Sequence, residues 1–299
     1  MSFMLLGILN AQAGAGVDPV SYFVGGESGK LSTSANGTDW VLQDAAFGTT
    51  SILDVAYGDG LYLAVGNTAK LSTSTNGNGW TSRTSSFGTT DIYGVAYGDN
   101  LYLIVGDSGK LSTSTDGITW TTRTLGAGGG RVKSVGYGGG FYYANYSDAV
   151  FRSSDGLSWS SAVVSAGQSF EDLAYGNSLY ITCGFNGQLH TSTNLTSWTS
   201  RSSGTATIEL REAVYGDSLW VIVGDNGYMI TSTDGTSWTS RTSGFGTTNI
   251  YGVTYGNGVY VACGYSGKIT TSTNGTTWTL RTSEFATTNI LGAAFSVAV

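Results

Sequence analysis

Apolar and polar positions along the chain fall into one pattern that returns about every 40 residues. Its clearest copy starts at Ile92 and reads IYGVAYGDNLYLIVGDSGKLSTSTDGITWTTRT. Within it, Ile92 to Tyr97 (segment A) and Leu101 to Val105 (segment B) are nearly continuous apolar runs, as expected of strands buried on both faces. Lys110 to Thr115 (segment C) is mostly polar, and Trp120 to Thr124 (segment D) keeps one large aromatic among Thr and Arg. Tight turns join them at Gly98-Asp99-Asn100, Asp107-Ser108-Gly109 and Asp116-Gly117. Apolar content falls from A to D, which places A at a hub and D at a rim.

Trp40, Trp80, Trp120, Trp159, Trp198, Trp238 and Trp278 each close a copy, at spacings of 39 or 40 residues. Seven copies at that period predict an all-β fold, a seven-bladed β-propeller of four-stranded blades. The first copy begins at Ser21 with segment B, and the last residues, ILGAAFSVAV from Ile290, match an A segment. Pairing the C-terminal strand into the first blade would close the ring and leave no open sheet edge at the hub. The predicted organisation is an N-terminal arm over residues 1–19 and a propeller over 20–299. Blade 1 takes 20–51 plus 290–299, and blades 2 to 7 take about 52–91, 92–130, 131–169, 170–208, 209–249 and 250–289.

Composition changes this picture little. Gly is abundant at 46 of 299 residues, yet 40% hydrophobic and 12% aromatic content suffices for a core and argues against a disordered chain. No apolar run is long enough for a membrane-spanning helix. A net charge of -7 argues against a nucleic-acid or anionic-membrane partner.

The C–D turns read STNGNGW, STDGITW, SSDGLSW, STDGTSW and STNGTTW. They resemble the Asp-box of the sialidase-like, BNR-repeat propellers, one residue shorter and with Asn in place of Asp at Asn36, Asn76, Asn194 and Asn274. Here Asp or Asn would cap the turn, Gly would take positive φ and Trp would pack between blades. Outside the repeat, MSFMLLGILNAQAGAGVDP resembles short N-terminal leaders of tailed-bacteriophage virion structural proteins. That resemblance implies a segment docked on other virion proteins, with Phe3, Met4, Leu5, Leu6, Ile8 and Leu9 as anchoring residues and Gly14-Ala15-Gly16 as a hinge. The same stretch also reads as a secretory signal, with Ala11-Gln12-Ala13 as its cleavage site.

The sequence offers no catalytic constellation, and neither cofactor nor metal is expected. Arg83, Arg123, Arg201, Arg241 and Arg281 share one repeat position on strand D and cannot converge on one ligand. His190 takes a polar C-strand position without a second His, and Cys183 and Cys263 replace the Val of segment B as buried free thiols. Lys30, Lys70, Lys110 and Lys268, with the rim arginines, read as a solvated outer face, and Asp107, Asp148 and Asp225 stand in separate turns, too dispersed for shared calcium binding.

Departures from the repeat point to a site. Regular blades start strand A blandly, with Leu53-Asp54, Tyr93-Gly94, Tyr251-Gly252 or Leu291-Gly292. Blades 4 to 6 instead carry Arg131, Lys133, Glu171, Asp172, Glu209, Arg211 and Glu212. With Tyr93 and Tyr251 as flat aromatic surfaces, Arg131, Lys133, Glu171, Asp172, Arg211 and Glu212 make a candidate ligand site at the channel entrance, of the kind that recognises carbohydrate. The competing reading is that these charges pair with one another and fill the mouth. Two expectations follow: a non-enzymatic bacteriophage virion structural protein on the virion exterior that contacts host-surface glycans, or a secreted or cell-surface bacterial lectin-like propeller. A glycoside-processing enzyme would need its carboxylates among Glu171, Asp172, Glu209 and Glu212.

Overall fold

Runs of β-branched and aromatic residues, punctuated by turns that need positive φ, fold as the repeat predicts. In a computed structural model that describes residues 22–296, twenty-eight strands form seven four-stranded antiparallel sheets. In the third blade these are Ile92–Gly98, Leu101–Gly106, Lys110–Ser114 and Thr121–Thr124, corresponding to segments A to D. The seven A strands lie side by side around the hub. The arm residues Phe3, Met4, Leu5, Leu6, Ile8 and Leu9 lie outside the described residues.

The ring closes as expected. Ile290–Phe295 pairs antiparallel with Tyr22–Gly26, with Tyr22 opposite Phe295 and Phe23 opposite Ala294, so the last strand becomes the inner strand of blade 1. Most blades are fastened to the preceding one by a tyrosine near the start of strand B. Tyr142 and Tyr180 donate their hydroxyls to the carbonyls of Gly98 and Gly138, at 2.7 and 2.8 Å, across a blade boundary. Tyr22, Tyr102 and Tyr260 make the equivalent bond to Gly256, Gly58 and Gly216. These glycines are obligatory because the next inner strand lies on top of them: a Cβ on Gly98 would stand 2.3 Å from Tyr137 Cβ. Blade 6 substitutes the fully buried Trp220 for the tyrosine.

The C–D turns follow the predicted chemistry. Asp116 Oδ1 accepts from the backbone N–H groups of Ile118 and Thr119 at 2.8 and 2.7 Å, and Ser114 donates to the same oxygen. These donors hold the Asp116 carboxyl down at about 2. Gly117 takes φ +67°, and Trp80 and Trp120 pack against the preceding blade. In blade 5 Leu195 occupies the positive-φ position instead of Gly.

One expectation about the rim is corrected. Lys30, Lys70, Lys110 and Lys268 are not a solvated face. Each donates to the carbonyl of the Phe in the preceding D–A connection (Phe285, Phe47, Phe87 and Phe245) at 2.6 to 3.0 Å and lies about 6 Å over that ring. The lysines therefore clamp the connections between blades. Arg83, Arg123, Arg201, Arg241 and Arg281 likewise bond through Nε to a Thr hydroxyl on strand C at 2.8 to 2.9 Å.

Candidate functional site

The site starts from a backbone irregularity. In all seven blades the register between strands A and B slips at the second residue of A, leaving Leu53, Tyr93, Lys133, Glu171, Arg211, Tyr251 and Leu291 unpaired at a β-bulge. A bulge re-aims the extra side chain. Here all seven bulge residues line one cavity of about 540 Å³ at the channel mouth. Arg131 and Glu209, which precede strand A, and Phe185, from a B–C turn, complete the lining.

Within this ring the charged side chains come from blades 4 to 6 and form three cation–aromatic stacks. The Arg131 guanidinium lies 4.5 Å over Tyr93, Lys133 Nζ lies 4.7 Å over Phe185, and Arg211 lies 5.8 Å from Tyr251. Arg211 is the most firmly held. It bonds Asp225 through Nε at 2.8 Å and Nη2 at 3.1 Å, and Glu209 at 3.0 Å. Lys133 is ion-paired with Glu171 and reaches Ser169 Oγ at 3.4 Å. Glu209 also lies within hydrogen-bonding reach of Glu171. Burial pushes the Glu209 carboxyl up to about 7, against the pull of Arg211 and with the help of Glu171.

Two predicted site residues lie elsewhere. Asp172 and Glu212 follow the bulge by one residue and return to the ladder, so they point away from the mouth and are fully buried. Asp172 accepts from the Ala213 N–H and Glu212 from the Val253 N–H, both at 3.0 Å, each linking its blade to the next. Asp54, passed over as part of a bland strand start, does the same with the Val95 N–H at 2.8 Å. Desolvation raises all three carboxyls, Asp54 to about 7 and Glu212 to about 8. The other positions of this ring are Gly94, Ser134, Gly252 and Gly292, too small to compete for the space.

Arg131, Lys133, Glu171, Arg211, Tyr93 and Tyr251 are thus brought together as expected, while Asp172 and Glu212 are not. Sequence reasoning missed Phe185, Leu53, Leu291 and the pairing role of Asp107 and Asp225. The last two were visible as acids in B–C turns, at the repeat position that Phe185 takes in blade 5. His190 is buried edge-on against Phe170 at 5.3 Å, and burial lowers its pKa. Cys183 and Cys263 are free and buried. Among the described residues no group of three or more His, Cys, Asp or Glu is placed to hold a metal ion, and no helix is long and apolar enough to cross a membrane.

Comparison with known proteins agrees with this architecture. Virginiamycin B lyase from Staphylococcus aureus superimposes with a TM-score of 0.73 at 10% identity, over 82% of this chain and 92% of that one. YCF48 from Cyanidioschyzon merolae gives 0.64 at 17% identity over 82% and 88%, and the computationally designed Ika8 protein 0.63 at 11% over 91% and 90%. Likeness at these identities extends to the fold alone. No curated protein matches the sequence. The model of the DUF6242 beta propeller domain matches residues 46–134 and 164–257, more than half of the chain, and the protein belongs to that family.

Proposed function

We propose that this chain is a non-enzymatic binding propeller of a bacteriophage virion, held on the particle through residues 1–19 and contacting a host-surface glycan through the channel mouth. The observation that carries the reading is the bulge ring: the fold turns seven side chains into one cavity, and the sequence spends its unusual charges there. Flat aromatic faces beside fixed donors and acceptors are what a saccharide requires, since its apolar face stacks and its hydroxyls bond to planar groups. The virion assignment rests on the apolar N-terminal stretch and on the resemblance of that stretch to phage leaders. The bonded Ser-x-Asp/Asn-Gly turns support reading them as shortened Asp-boxes.

The non-enzymatic reading has its own support. Glycosidase carboxyl pairs stand roughly 5 to 9.5 Å apart to admit a sugar or water. Glu171 and Glu209 lie within hydrogen-bonding reach of each other and are each paired with a cation, closer than such a gap requires. Fluorescently labelled full chain, incubated with a panel of bacterial cells, should show saturable binding on at least one host. That binding should be lost in Arg211→Ala. Undiminished binding by Arg211→Ala, or absence of binding across the panel, would contradict the proposal. The lectin-like alternative shares this site and predicts a mature protein cleaved near Ala13, which N-terminal sequencing would detect.

A further inference from the structure

The three cations at the mouth are not equally committed. Arg211 is bonded by two carboxylates, and Lys133 is paired with Glu171. Arg131 has one acidic contact, from Nε to Asp107 Oδ1 at 3.3 Å, and its side chain is 57% exposed. Its two terminal nitrogens make no hydrogen bond or ion pair among the described residues, while its plane is fixed by stacking 4.5 Å over Tyr93. A guanidinium held on one edge and one face, with the other edge open, is preorganised for bidentate contact with an anion.

Comparison between blades shows that this arrangement displaces a structural device. At the position of Arg131, just before strand A, blade 3 has Asp91, blade 7 Asn249 and blade 1 Asn289. Each caps the B–C turn of the preceding blade, accepting from Thr68, Asn226 and Ser266 N–H at 2.8, 3.0 and 2.9 Å. Arg131 cannot accept such a bond, so its blade gives up the cap and gains an exposed cation. Its approach is also clear. The usual Phe-Gly-Thr-Thr connection is replaced by Leu125-Gly126-Ala127-Gly128-Gly129-Gly130, in which Gly128, Gly129 and Gly130 are exposed and a Cβ on Gly129 would meet nothing within 4 Å. The neighbouring carboxylate of Asp91 is occupied by Asn67, the Thr68 N–H and the Tyr93 hydroxyl.

We infer that the Arg131–Tyr93 stack is an anion subsite of the mouth, taking a carboxylate, sulfate or phosphate group carried by the ligand. The inference rests on the proposed glycan-binding role of the same mouth. The anion bridges the free edge of Arg131 while the rest of the ligand extends across the bulge ring toward Tyr251.

An array of bacterial surface glycans grouped as neutral, carboxylated, sulfated and phosphorylated, probed with the full chain, tests it. Bound glycans should fall in an anionic group, and the group favoured identifies the source of the charge. Titration of the best binder should show at least a tenfold loss of affinity in Arg131→Ala, partial retention in Arg131→Lys and weakening with added salt, with an unchanged melting temperature. Equal binding of neutral and anionic glycans, or an Arg131→Ala chain that keeps its preference, would overturn the subsite and leave the glycan reading standing. Absence of binding to every glycan would overturn both.

Discussion

Blades 1, 2, 3 and 7 and blades 4 to 6 share a backbone but use its bulge differently. In the first set the re-aimed residue is Leu53, Tyr93, Tyr251 or Leu291, and in blades 3, 7 and 1 the residue before strand A caps a neighbouring turn. In the second set the bulge holds Lys133, Glu171 and Arg211, and Arg131 and Glu209 replace caps in blades 4 and 6. The backbone solution is the same, with the register slip at the same place. The difference teaches that the repeat supplies a ring of mouth-facing positions whatever their occupants, and that blades 4 to 6 place charges where other blades place Leu or Tyr.

That contrast can be broken most severely at the scaffold. Trp220 is fully buried where the other blades use a bonded tyrosine, and Trp220→Ala should cost about 3–5 kcal/mol in chemical denaturation. A smaller effect, of opposite sign, is expected at the hub. Asp54 is raised to about 7 by burial, so the stability linked to its protonated form is fully present below its unfolded value near 4 and is lost as pH rises through about 7. Asp54→Asn keeps an acceptor for the Val95 N–H and removes the charge. Its melting temperature should exceed the wild type's by several degrees at pH 8, and the difference should vanish near pH 4.

Glu209→Asn sharpens the comparison by restoring the repeat. Asn at this position should cap the Asn186 turn as Asn249 and Asn289 cap theirs, raising stability by roughly 0.5–1 kcal/mol while weakening the glycan binding proposed for the mouth. The smallest effect belongs to the C–D turns. Asp116→Ala should cost about 0.5 kcal/mol at pH 7, the low end for a bonded turn because the carboxylate is exposed. The sign is fixed by a depressed pKa: the stability from Asp116 is present above about 4 and lost as pH falls through about 2, so the variant and wild type should converge in acid melts.

Much of this was legible in the sequence for identifiable reasons. Seven Trp at one period, and an A-like segment from Ile290, fixed blade number and closure because each repeat is a unit that buries its face against the next. The cluster of Arg131, Lys133, Glu171 and Arg211 was visible as a departure from that repeat. What was hidden is the bulge. A simple two-residue alternation puts adjacent residues on opposite faces but does not say which of Glu171 and Asp172 faces the mouth. The slip between Phe170 and Asp172 decides it, and it leaves no signature in residue type because the bulge residue is Leu, Tyr, Lys, Glu or Arg. Phe185 and the Lys–Phe clamps were illegible because they join segments distant in the repeat, and only the packing of neighbouring blades brings them together.

The most direct test of the central claim is the thermal unfolding of a chain whose mouth is returned to the repeat, with Arg131→Asp, Lys133→Leu, Glu171→Leu, Glu209→Asn and Arg211→Tyr. If the charges serve a ligand, this chain should melt at or above the wild-type temperature. A large fall in melting temperature would show that the ion pairs hold blades 4 to 6 together, and would contradict the assignment of the mouth as a binding site.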